Sequence, residues 1–136
     1  VSAVEYQLSE LAAQQVGRQM AQFHQRYDCW LTPTLATPPL RNGCIDIHER
    51  DLEKAYAPII DYSPFTAIQN ASGQPAISLP LHWNAAGLPI GLMFSAAVGE
   101  EALLFRLAAQ LEQARPWQHR EPVLDTTPAA SETAPA

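Results

Sequence analysis

The 136-residue chain, 47% apolar, is long enough for one domain with a core of its own. Its net charge of −6, fourteen acids against eight bases, argues against the basic footprint that nucleic acid or an anionic membrane surface requires. No apolar run approaches the about 20 residues that span a bilayer, no signal peptide is visible, and Cys29 and Cys44 make no disulfide framework, so the expectation is a cytoplasmic, reduced protein.

From Val4 to Tyr27 the apolar positions Leu8, Leu11, Ala12, Val16, Met20, Phe23 and Tyr27 recur every three or four residues. That is one face of a long amphipathic helix. Asp28-Cys29-Trp30-Leu31-Thr32, stopped by Pro33, suits a short buried strand. Residues 33–48 hold three prolines and a glycine and should be irregular. A short helix over Asp51–Tyr56 follows, ended by Pro58.

Ser63-Pro64 reads as a helix start, with a serine N-cap and proline at the first helical position. Gly73 is placed to close that helix. Ala76–Trp83 and Leu88–Val98 read as two strands joined by a turn at residues 84–87. Pro80 cannot donate to a sheet ladder, so it marks an edge, a bulge or a non-bonded position. Glu100 and Glu101 open a last helix with the apolar stripe Leu104, Leu107, Ala108 and Leu111, ended by Arg115-Pro116. The order is α-β-α-α-β-β-α, an α/β fold over residues 1–124, and the small polar residues 125–136 are expected to form a disordered tail.

Little here announces chemistry. The four histidines have no ligand spacing with each other or with the cysteines, so no metal site is expected, and no cofactor motif is present. Cys29 as a nucleophile has a plainer rival, an inert thiol in a buried strand. Asn70, Ser72, Gly73 and Gln74 could hold a ligand, but helix termination explains them more cheaply. Ser63 has two readings: an N-cap worth about 1 kcal/mol, or a pocket position beside the free N–H groups of a helix N-terminus. Spacing alone favours the cap.

The dense punctuation of residues 70–94 belongs to a wider pattern. It runs through Phe65-Thr66, Asn70-x-x-Gly73-x-Pro75-Ala76-Ile77-Ser78, Pro80, Gly87-Leu88-Pro89-Ile90-Gly91-Leu92 and Glu101-Ala102-Leu103-Leu104-Phe105. Upstream, Tyr27-Asp28 and Leu31-Thr32-Pro33-Thr34 join it. Together these resemble the C-terminal end of the amidase signature enzymes, over about Ala21 to Trp117. Within that family the run Gly91–Phe94 is similar to the branch containing 6-aminohexanoate cyclic dimer hydrolase.

The resemblance implies a mixed β-sheet flanked by helices and hydrolysis of a carboxylic amide by a Ser–Ser–Lys triad, with backbone N–H groups as the oxyanion hole. In the family the triad sits on a lysine and a Gly/Ser-rich region N-terminal to this portion. Lys54 is the sole lysine and lacks that context, and Ser72 and Ser78 lie in no Gly/Ser-rich run, so no catalytic residue is carried onto this chain. The first residue is Val1 and the first methionine Met20, and the chain alone is expected to be inactive. By resemblance, Ile60, Tyr62 and Ser63 contribute to substrate binding. Ser63 stands where glutamine-using members carry an acid, which makes glutamine a poorer candidate. The implied partners are the N-terminal part of the same amidase and a small-molecule amide, with self-association through exposed edges. The rival expectation is a truncated, non-catalytic scaffold or interaction protein.

Overall fold

The computed structural model describes residues 1–46 and 48–122, so the tail expected beyond residue 124 lies outside the described residues. Seven elements follow in order: α1 (Ala3–Phe23), β1 (Cys29–Pro33), α2 (Leu52–Tyr62), α3 (Ala67–Ser72), β2 (Ala76–Trp83), β3 (Pro89–Ala96) and α4 (Glu101–Ala114). The order matches the expectation, while several boundaries and roles differ.

Helix α1 begins with a reciprocal cap. The Glu5 N–H donates to Ser2 Oγ at 3.2 Å, and the Ser2 N–H donates back to Glu5 Oε2 at 2.7 Å. The helix ends at Phe23 rather than Tyr27, because residues 24–26 form a turn that redirects the chain into β1. Its C-terminal half packs closely on α3, where a methyl at Gly17 would touch Ser72 Cα at 3.9 Å. The predicted apolar face is covered only there. Leu8 is 60% exposed and Leu11 is also exposed, since among the described elements none lies over the first turns.

The three strands form one antiparallel sheet in the order β1-β3-β2. Cys29 pairs with Ala96 and Pro33 with Leu92; on the other side Ala76 pairs with Ser95 and Trp83 with Pro89. The register slips between Pro80 and His82, the irregularity that a proline without an N–H invites on an edge strand. The β2–β3 turn closes as predicted: Asn84 Oδ1 accepts from the Ala86 and Leu88 N–H groups, and Gly87 takes φ +78°. β1, expected to be buried, is instead an edge strand. Only Thr32 in it is buried, because β1 is paired on one side alone and Leu31 stands exposed.

Alternation along the strands sorts the sheet into two faces. Leu79, Leu81, Phe94 and Ala96 face α4 and enclose Leu104, with Ile77, Leu92, Leu107, Ala108, Leu111 and Trp117 packed around them. Each such leucine or phenylalanine, fully buried, contributes roughly 1.5–3 kcal/mol. The opposite face carries Ser95 and Ser78. Near Ser95 it is covered by Gln69 of α3, whose amide Oε1 accepts from Ser95 Oγ at 2.8 Å while its NH2 donates to the Phe65 carbonyl at 2.8 Å.

Two expectations in the middle of the chain are overturned. α2 does not stop before Pro58 but runs through it to Tyr62. Proline at that position removes only the bond to the Lys54 carbonyl, and the helix is secured at both ends. Asp51 caps its start by accepting from the Glu53 and Lys54 N–H groups, and the Ser63 N–H bonds to the Ile59 carbonyl at 2.9 Å. Ser63 is therefore the C-cap of α2, not the N-cap of the next helix. α3 starts later, at Ala67, with no side-chain cap from Thr66.

Candidate functional site

The expected pocket residues lie at the C-terminal end of α2. Ile60 is 61% exposed, and Tyr62 and Ser63 are half-buried. Ser63 Oγ donates to the Ile59 carbonyl at 2.9 Å. The end of α2 presents carbonyls rather than free N–H groups, which removes the geometric basis for reading Ser63 as an anion-facing position on its own helix. Tyr62 is tied to the proline-rich loop instead: its carbonyl accepts from the Ala36 N–H at 3.0 Å.

That loop walls a cavity of about 290 Å³ at the end of the sheet. Residues 34–39 form one side, Asn84, Leu88, Pro89 and Ile90 of the hairpin the other, and Ser78 and Gly91 contribute from the strands. Ile60, Tyr62 and Ser63 are not among its lining residues; they meet it only through the Tyr62–Ala36 bond.

Three residues set the polar end of the cavity. The Thr34 N–H donates to the Gly91 carbonyl at 2.9 Å, which continues the β1–β3 ladder one step into the loop. Across Gly91, Thr34 Oγ1 and Ser78 Oγ lie 2.6 Å apart in a hydroxyl–hydroxyl bond. A Cβ at Gly91 would stand 2.7 Å from Ser78 Oγ and 2.8 Å from Thr34 Oγ1. The hydroxyl pair thus occupies the space that any side chain at position 91 would need. The sequence offered a signal for this in a glycine inside a strand, which points to close approach by another group. What approaches it was not readable.

Other candidate chemistry is quiet. Burial raises the Cys29 thiol pKa, and the neighbouring Asp28 carboxylate raises it further, the reverse of what a nucleophilic thiolate needs. Lys54 is exposed, with Nζ 3.3 Å from Asp51 Oδ2. Gly73 closes α3 in the left-handed region, at φ +72°. Ser72 Oγ donates to Gln74 Oε1 at 3.0 Å, and Gln74 Nε2 donates to the Ala96 carbonyl at 3.3 Å. Those residues act as helix termination and sheet attachment. Among the described residues no three His, Cys, Asp or Glu side chains gather as a metal site, and no helix is long and apolar enough to cross a membrane.

Comparison with known proteins gives this architecture its context. AmiC of Mycobacterium leprae (strain TN), an amidase by name, is 44% identical over 100 residues, 74% of this chain and 21% of that protein. The 6-aminohexanoate-cyclic-dimer hydrolase of Pseudomonas sp. (strain NK87) is 49% identical over 78 residues, 54% of this chain and 16% of that protein. A solved structure of 6-aminohexanoate cyclic dimer hydrolase superposes with a TM-score of 0.77 at 32% identity, covering 86% of this chain and 26% of its own. A bacterial aryl acylamidase of the amidase signature family superposes with a TM-score of 0.72 at 28% identity, over 90% of this chain and 26% of that one. The chain thus spans about a fifth of the length of these AmiC relatives. The Amidase family pattern matches residues 1–105, and with these relatives it establishes that the chain belongs to the amidase signature family.

Proposed function

We propose that this chain is the C-terminal segment of an amidase that hydrolyses carboxylic amides, with the Ser–Ser–Lys triad outside the chain. The observation that carries this reading is the family match joined to its coverage: residues 1–105 match, yet they correspond to about a fifth of the relatives. The quiet chemistry agrees with it. The sole lysine is spent on a surface pair with Asp51, and the half-buried thiol is held protonated. The partners of this reading are the N-terminal part of the same amidase and a small, uncharged amide. Glutamine suits it poorly, because Ser63 supplies no charge for an ammonium group. A reduced, cytoplasmic setting belongs to the same proposal and accords with the free thiols Cys29 and Cys44.

A second reading, a non-catalytic scaffold that associates with itself, is favoured by one observation. Among the described residues the outer edges of the sheet at β1 and β2 are unpaired, and Leu31, Leu8 and Phe105 stand exposed. Both readings expect the isolated chain to associate. They part when the chain is grafted in place of the matching segment of 6-aminohexanoate-cyclic-dimer hydrolase. Amide hydrolysis by the graft, with none by the chain alone, is the result expected of an amidase segment. A folded but inert graft would move the scaffold to first place. Hydrolysis by the chain alone would overturn both.

A further inference from the structure

The chain holds three asparagines, Asn42, Asn70 and Asn84, and the structure treats them differently. Asn70 lies inside α3, where the helical ψ turns the next backbone nitrogen away from its side chain. Asn84 is held in the hairpin turn, its Oδ1 accepting from the Ala86 N–H at 3.0 Å and the Leu88 N–H at 2.9 Å. Asn42 is exposed, and its side-chain amide has no hydrogen-bond partner among the described residues. It is followed by Gly43, whereas alanine follows both of the others.

The turn around Asn42 leaves the reacting groups free. Its backbone bond runs from the Cys44 N–H to the Arg41 carbonyl at 3.2 Å and spans the Asn42–Gly43 peptide without using it. Gly43 has φ +85°, and beyond its chain neighbours no heavy atom lies within 4 Å of the place a Cβ would take. Its N–H has no acceptor among the described residues. With no side chain at 43, nothing screens that nitrogen from the Asn42 amide.

We infer that Asn42–Gly43 is a site of spontaneous covalent modification, which rebuilds this turn as the protein ages. The Gly43 backbone nitrogen gives up its proton and attacks Asn42 Cγ. The N–Cγ bond forms, the Cγ–Nδ2 bond breaks, and Nδ2 leaves with the proton as ammonia, closing a succinimide ring. Water then opens the ring. Cleavage between the nitrogen and Cγ restores the normal main chain, now with aspartate. Cleavage between the nitrogen and the backbone carbonyl carbon routes the main chain through Cβ and Cγ as isoaspartate, one atom longer. The net exchange is an amide and a water for an acid and an ammonia, so the charge of −6 deepens by one unit. The longer main chain of isoaspartate does not fit the Arg41–Cys44 turn, and its bond is lost. The change falls on the connection between the cavity wall at residues 34–39 and α2, not on the sheet.

The test is incubation of the folded full chain at mildly alkaline pH, read by peptide mass spectrometry and by enzymatic methylation of isoaspartate. Asn42 should lose ammonia and then gain the mass of the acid, faster as pH rises because the attacking nitrogen must shed a proton. Asn84 should lag about tenfold or more, since two hydrogen bonds must open first and each slows the reaction about two- to tenfold. Denaturant should narrow that lead without closing it, because glycine still follows Asn42. Asn42→Gln, whose ring would need an extra atom, should lose the conversion at this position, with the sheet signals unchanged by nuclear magnetic resonance. Retention of the Asn42 amide throughout, or equal rates at Asn42 and Asn84 in the folded chain, overturns the site. Isoaspartate formation that leaves the Cys44 amide signal in place overturns the effect on the turn.

Discussion

The two faces of the sheet are built on different physics. Against α4 the strands present an unbroken apolar surface in which Leu104, 3% exposed, is enclosed by Leu79, Leu81, Phe94 and Ala96. Across the sheet buried Met93 is joined by hydroxyls and amides, and what fixes these is directional bonding: Ser95, 1% exposed, to Gln69, and Thr34 to Ser78. The first face derives strength from area removed from water and tolerates reshaping if volume is kept. The second must be satisfied group by group, and one missing partner leaves another stranded. Candidate ligand chemistry lies on the second face, and stability is concentrated on the first.

The comparison is broken most forcefully at Leu104. Leu104→Ala should cost about 2–5 kcal/mol in a denaturant titration, with a cavity left in the core. A loss below about 1 kcal/mol would mean that α4 does not anchor the sheet. Gln69→Ala comes next. It strands Ser95 Oγ and the Phe65 and Thr66 carbonyls, and should cost about 1–3 kcal/mol by the same titration. Thr32→Val changes the opposite face in the other direction. Thr32 Oγ1 is buried without a partner among the described residues, so the isosteric methyl should raise stability by about 1 kcal/mol, read as a higher Tm. Cys29, on the α4 side, gives the smallest effect, one of rate alone. Its thiolate is disfavoured by burial and by Asp28, so a neutral alkylating reagent near pH 8 should modify the exposed Cys44 first. The gap should narrow as pH rises past the raised Cys29 pKa. Faster labelling of Cys29 would show that its side of the sheet opens.

How much of this was legible depended on how far apart the cooperating residues lie in the chain. Gly73, the Asn84–Gly87 turn, the alternation of β2 and the stripe of α4 are local signals, and the structure follows them. Ser63-Pro64 is a local signal that misleads. Serine before proline suits an N-cap, but α2 arrives from upstream through Pro58 and claims Ser63 as its last acceptor's partner. The α1 face was read correctly as apolar, yet periodicity says nothing about what covers it, and Leu8 and Leu11 are left bare. In the family, the resemblance identified the enzymes but gave no account of the cavity. Thr34, Ser78 and Gly91 come from three separate strands or loops, and no window of sequence contains them together.

The crowding at Gly91 has a consequence for how this molecule can vary. Positions 34, 78 and 91 share one fixed allotment of space, so they behave as a single site with three addresses. A side chain gained at 91 has to be matched by atoms lost at 34 or 78, and substitutions there should be tolerated in combination more readily than alone. Libraries that sample the three positions independently would discard nearly every variant with a new shape for this cavity; those that exchange volume among the three would keep them.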